Sequence, residues 1–336
     1  MRLGKHRHVL GIWAMVASAW TSLSTIPARA ADQTTIGVVA KLGGVPWTRA
    51  IQAGVEKHSK ELDDDGFVVG PTSADPALQV RAIEDLIARG VKVIGVLPND
   101  ADALDPVLKR AMDAGIIVLT NESPKQKNKN WDFELASIQG FGEAYAKRLA
   151  ELMGGKGDYV VYVGSLTVPL HNAWADAAIA YLKKNYPDMH QISNRFGVAE
   201  SVDDSRKTTL DLLDAHPNLK GILAFGSQGP IGAARAVQER HLAGKIIVLG
   251  TFSPGQGRKL LDQGVLSGGF IWNPEVVGEV FVTLGDMLAK KQPITDGMTI
   301  PGLGVVHPDM QNHVIIVNHL VYIDKASVGE LAKSGL

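Results

Sequence analysis

The sequence contains no cysteine, which excludes disulfides, thiolate metal sites and a cysteine nucleophile. Charge is also sparse: Asp, Glu, Lys and Arg make up 21% of the 336 residues, and the formal net charge is -1. That balance leaves no footprint for a polyanion and speaks against nucleic-acid binding. The ten histidines form no H-E-x-x-H and no close carboxylate-flanked pair, so neither a metal nor a cofactor is expected. Beyond residue 30 no run approaches 18 consecutive apolar residues, so no membrane span is expected there.

The first thirty residues have their own chemistry. MRLGKHRH is basic, VLGIWAMVASAW is apolar but too short to span a bilayer, and Ala28-Arg29-Ala30 is a small-x-small cleavage site. The pattern predicts a secretory signal over residues 1–30 and an exported, periplasmic mature protein. Loss of Arg2, Lys5, Arg7 and Arg29, with no acid, takes the net charge from -1 to -5 and leaves 306 residues. A chain of that length with 45% apolar residues is large enough for two domains, each with its own core.

The stretch Ile36–Trp47 sets the pattern for the rest. Ile36–Ala40 is apolar without alternation, as suits a strand buried on both faces. Lys41, two glycines and Pro46 then lead into a helical pattern. Further strands are expected at Phe67–Val69, Val93–Leu97 and Ile116–Leu119, with helices between them. One of these helices opens on Asp75-Pro76 and stops at Gly90. Thr120–Asp132 reads as a long polar loop. The pattern then restarts, with strands at Tyr159–Val163, near His190–Phe196, at Gly221–Phe225, Lys245–Leu249 and Ser267–Trp272. The expected fold class is α/β: two Rossmann-like lobes with parallel sheets joined by a three-crossing hinge. Residues 31–137 with about 274–305 are assigned to the first lobe, and 138–273 with about 306–336 to the second.

Catalytic motifs fail on spacing. Gly154-Gly155-Lys156-Gly157 follows a helix rather than a strand, and reads as a helix C-cap rather than a phosphate loop. In Gly226-Ser227-Gln228-Gly229 the first glycine adjoins the serine, which does not fit a nucleophile elbow. An enzyme is not expected.

Polar and aromatic residues instead collect at the carboxyl ends of strands, where open α/β sheets bind ligands. The first series supplies Lys41, Trp47, Asn121 and Glu122. The second supplies His171, Asn172, Ser227, Gln228, Thr251, Ser253, Trp272 and Asn273. Each has an ordinary alternative, such as a helix cap for Asn and Ser or core packing for Trp. Together they suit a polyhydroxylated ligand, whose hydroxyls pair with planar amides and carboxylates while indoles cover its C–H faces.

At these residues the chain resembles the periplasmic sugar-binding proteins of type I fold that serve ABC importers. It lies nearest the subgroup holding autoinducer-2-binding and rhamnose-binding proteins. The likeness covers about residues 34–330 and is carried by IGVVAKLGGVPW, GPTSADPALQVRAIEDLIARGVKVIGVLPND, LKRAMDAGIIVLTNES, GSLTVPLHNAW and GGFIWNP. It implies that Lys41 contacts ligand, that Glu122 replaces the subgroup's Asp, and that Trp272 is the subgroup's tryptophan. The chain departs from the subgroup at Leu170 and His171, where an Asp-Gln pair is usual. It departs again at Phe225 and Ser227, and Phe252, between Thr251 and Ser253, stands where pentose and hexose binders carry an Asp. These changes point away from autoinducer-2 and toward another sugar or polyol. The resemblance implies a monomeric receptor that closes on its ligand and delivers it to a membrane permease. The rival expectation is binding of an autoinducer-2-type signal, or presentation of ligand to a chemoreceptor or sensor kinase.

Overall fold

A computed structural model describes residues 33–333 and Met1; the expected signal, residues 1–30, lies outside the described residues apart from Met1. The chain alternates as anticipated, through β1 (Thr35–Val39), α1 (Pro46–Leu62), β2 (Asp65–Val69), α2 (Pro76–Arg89), β3 (Val93–Val96), α3 (Ala101–Asp113), β4 (Ile117–Asn121) and β5 (Trp131–Glu134). The local signals act as the sequence indicates. Asp75 caps α2 by accepting from Ala77 N at 2.8 Å, Pro76 follows it, and Gly90 ends the helix with φ 68. Gly154 likewise ends a helix at φ 70, which settles the GGKG stretch as a C-cap.

The second series runs α4 (Ile138–Met153), β6 (Gly157–Val163), α5 (Pro169–Asn185), β7 (Met189–Gln191), β8 (Phe196–Gly197), α6 (Val202–Ala215), β9 (Leu219–Phe225), α7 (Gly229–Glu239), β10 (Ile247–Gly250), α8 (Pro254–Asp262) and β11 (Gly269–Ile271). The tail adds α9 (Pro274–Ala289), β12 (Thr299–Ile300), β13 (Gly304–Val305), β14 (Val314–Ile316), β15 (Val321–Ile323) and α10 (Val328–Lys333). Two parallel sheets result. One has the order β14-β5-β4-β3-β1-β2; the other is β10-β9-β6-β7, with β8 also pairing with β6.

Three differences from the expectation bear on how the sheets are built. Trp131–Glu134 is a strand, not the end of a loop; its acids are buried, so the alternation of acid and aromatic that suggests exposure is misleading. The strand expected at Ser267–Trp272 shortens to β11, which pairs antiparallel with β15. The tail also stays with the first sheet longer than a boundary near 306 allows. Val314–Ile316 pairs with β5, because a parallel edge strand there covers the open edge of β5.

Three segments cross between the lobes. Two of them are tied together, Val317 N donating to Glu134 O at 2.9 Å and His319 N to Leu135 O at 2.8 Å. The third, around Trp272, feeds α9, which lies against α1. Glycines let these two helices touch backbone to backbone. A Cβ on Gly54 would overlap the Glu275 carbonyl, and one on Gly278 would overlap the Ile51 carbonyl. Gly278→Ala is therefore expected to destabilise the protein by about 1–3 kcal/mol, the usual cost of overpacking. Urea unfolding that shows no change would mean the two helices part without penalty.

Candidate functional site

The carboxyl ends of both parallel sheets open onto one cavity between the lobes. It measures about 40 Å³, room for only a few water-sized groups. Lys41, Trp47 and Glu122 line it from the first lobe. His171, Ser227 and Thr251 line it from the second, with Trp272 at the crossing.

Lys41 is held from behind by a buried brace. Asn99 Nδ2 donates to Lys41 O at 2.8 Å, and Gln79 Oε1 accepts from Asn99 N at 2.8 Å. Gln79 Nε2 spans the carbonyls of Ala40 (3.0 Å) and Leu97 (2.8 Å). One fully buried amide thus ties the ends of β1 and β3 together. The Lys41 ammonium then reaches over β3 and donates to Glu122 Oε2. Glu122 takes the left-handed conformation, φ 61, which disfavours a side chain and is typical of strain kept for a site. Burial pushes the Glu122 carboxyl up, but Lys41 and His171 outweigh it and hold it at about 2.

From the second lobe, His171 stands in the first turn of α5. Its Nδ1 accepts from Gly164 N at 3.1 Å, so the ring proton belongs on Nε2. Nε2 lies 3.4 Å from Glu122 Oε2 and 3.3 Å from Lys41 Nζ. Thr167 Oγ1 adds a second contact across the lobes by donating to Asn99 O at 3.0 Å. The rest of the wall is aromatic. Trp47 meets Trp272 edge-on at 5.6 Å, Trp174 meets Trp272 at 5.5 Å, and the His171 ring stacks on Trp174 at 5.5 Å.

Seven of the twelve anticipated residues line this cavity and five do not. Asn121 Nδ2 turns away to Phe133 O at 2.6 Å. Asn172 bonds Ser165 O and Val168 O and receives Arg195. Gln228 Nε2 donates to Ser227 Oγ at 2.9 Å and its Oε1 accepts from Gln256. Ser253 is buried at the start of α8. Asn273 caps α9 through Glu275 N at 2.9 Å. Even on the wall Thr251 is committed elsewhere, its hydroxyl 3.0 Å from Tyr145 Oη.

Glu200 and Trp174 also line the cavity. Trp174 sits within α5, three residues after His171. Glu200 was hidden because the strand that delivers it is split: β7 ends at Gln191, and the two-residue β8 resumes at Phe196. Placing one strand near His190–Phe196 ends it too early to present Glu200.

Beyond Glu122, β5 carries two further acids. Burial, then Asp132 and Glu122, push Glu134 well above its ordinary value. Burial pushes Asp132 up to about 6, although Thr120 donates to it at 2.6 Å.

The residues 36–293 match the family model described as "periplasmic binding protein domain". The chain belongs to the periplasmic binding protein family. It is similar to the ribose import binding protein RbsB of Escherichia coli, 25% identical over 294 residues, 84% of this chain and 93% of that protein. It is also similar to a putative rhizopine-binding protein of Rhizobium meliloti, 30% identical over 142 residues, 41% of this chain and 46% of that protein. Among solved structures it resembles an ABC transporter solute binding protein from Clostridium phytofermentas with bound L-rhamnose. There the TM-score is 0.83 at 24% identity, covering 90% of this chain and 99% of that one. LsrB from Clostridium saccharobutylicum in complex with AI-2 also reaches a TM-score of 0.83, at 19% identity, covering 88% and 99%.

The two sets of acids have opposite pH signatures. Glu122 is depressed below its usual 4.5, so its stabilisation is present above about 4.5 and lost as pH falls toward 2. Lys41→Met strands a buried carboxylate and is expected to cost about 3–5 kcal/mol at pH 7. That deficit should narrow as pH falls below 4.5. Glu134 is raised, so the folded state is favoured below about 4.5 and loses stability as pH climbs toward the folded value. Glu134→Gln is expected to stabilise by about 1–3 kcal/mol at pH 7, with little gain at pH 4. Urea unfolding of each variant at several pH values checks both, and deficits or gains independent of pH would contradict them.

Proposed function

We propose that this protein is an exported solute receptor that captures a small sugar or polyol between its lobes and delivers it to an ABC import permease. One observation carries the reading: unspent hydrogen-bonding groups gather on an aromatic wall where two lobes meet. Trp174 and Trp272 both line the cavity, and neither indole N–H has an acceptor among the described residues. Buried indoles ordinarily find one, and ligand hydroxyls provide it. Lys41, Glu122 and His171 supply charged and polar heads beside them. The indole faces suit the C–H side of a sugar ring.

A cavity of about 40 Å³ does not admit a sugar ring without movement of its walls. Ligand therefore enters an opened form and favours the closed one, in which both lobes contribute contacts. The family's ribose-, rhamnose- and AI-2-binding members support a carbohydrate-like ligand. Export to the periplasm rests on the basic, apolar and small-x-small order of residues 1–30. A binding role suits the site better than catalysis, since the Ser227 hydroxyl is engaged by an amide of Gln228, which is no base.

A thermal-shift screen against pentoses, hexoses, deoxysugars, polyols and autoinducer-2 tests the proposal. A ligand at 100 times its Kd adds about 2.7 kcal/mol of stability. Lys41→Ala is expected to weaken an identified ligand about tenfold or more. A panel in which no compound raises the melting temperature counts against the receptor reading. Unchanged affinity in Lys41→Ala removes that residue from the site.

A further inference from the structure

Charge is unevenly distributed over the cavity wall. Its one ammonium, Lys41, is taken by Glu122, the two lying on the same lobe and buried together. Glu200 faces the same space from the other lobe with no equivalent partner. Its carboxylate accepts no hydrogen bond from any described residue. The nearest ring nitrogen, His171 Nδ1, is 3.9 Å away and already accepts from Gly164 N. The wall thus holds two carboxylates against one cation, and the unmatched carboxylate lines a cavity that Trp47, Trp174 and Trp272 also line.

We infer that the ligand carries an ammonium group, as an amino sugar or amino polyol does, and that Glu200 is the residue that receives it. This rests on the receptor reading above and narrows its ligand class. An ammonium brings three donors to a carboxylate that has none and neutralises the surplus negative charge. Trp47, Trp174 and Trp272 line the same cavity, and indole rings attract a cation through their quadrupoles, which a hydroxyl does not exploit. Lys41 does not oppose this, because Glu122 already balances its charge. The burial that lifts the Glu200 carboxyl above its ordinary value, against the opposing pull of His171 and Lys41, is relieved when a cation docks beside it.

Matched triplets test the assignment: D-glucosamine with D-glucose and N-acetyl-D-glucosamine, D-galactosamine with its own parent and N-acetyl form, and 1-amino-1-deoxy-D-sorbitol with D-sorbitol and its N-acetyl form. Titration calorimetry on the purified full-length mature protein is expected to give at least one amine a Kd about tenfold or more below its parent and its N-acetyl form. In Glu200→Gln that ratio should collapse toward one, and Glu200→Asp should restore part of it. Neutral parents that bind as tightly as their amines overturn the amine assignment and leave the receptor reading standing. A preference that survives Glu200→Gln overturns the role of Glu200. No binding by any compound, amine or neutral, overturns both readings together.

Discussion

A lysine ammonium buried where two lobes meet must be neutralised, and much of the site follows from how this is done. Lys41 lies at the end of β1 and Glu122 at the end of β4, with β3 between them. Their contact requires the strand ends to hold register, which the Gln79–Asn99 brace provides from beneath. It also requires Glu122 to adopt a backbone conformation that few side chains tolerate. The polar network, the strain and the ion pair are parts of one solution to desolvation. His171 then meets an already assembled pair, so the second lobe completes the site instead of creating it.

The first lobe was legible in the sequence where its strands are buried on both faces. Runs such as Ile36–Val39 and Val93–Val96 carry no polar residue, and Asp75-Pro76 and Gly90 mark a helix by chemistry that needs no tertiary context. β5 was not legible, because Asp132 and Glu134 are acids held inside the protein, and sequence periodicity treats acids as exposed. The tail misled for a related reason: a three-residue edge strand such as β14 declares its partner only through pairing.

For the site, parallel topology was enough to bring the right neighbourhoods together, since all strands of such a sheet end on one edge. It does not say which of two adjacent residues faces the ligand side. Asn121 and Glu122 are consecutive, yet one is spent on the Phe133 carbonyl and the other reaches Lys41. Asn172, Gln228 and Asn273 likewise serve the local backbone or neighbouring side chains. The aromatic residues were easier to assign, because an indole at a strand end has few local bonds to satisfy and is free to join the wall.

The paired crossings set a direction for motion. Val317 and His319 are hydrogen-bonded to Glu134 and Leu135, so these two passages form a two-ply ribbon rather than two independent strings. A ribbon of this kind flexes across its flat face and resists shearing in its plane, where hydrogen bonds would have to stretch. The third passage, at Trp272, lies outside these bonds, and its chain is anchored by the close contact of α9 with α1. Movement between the lobes would therefore follow one arc, like a door on a strap hinge. On such a hinge Lys41 and Glu122 would ride together on one leaf, with His171 and Glu200 on the other.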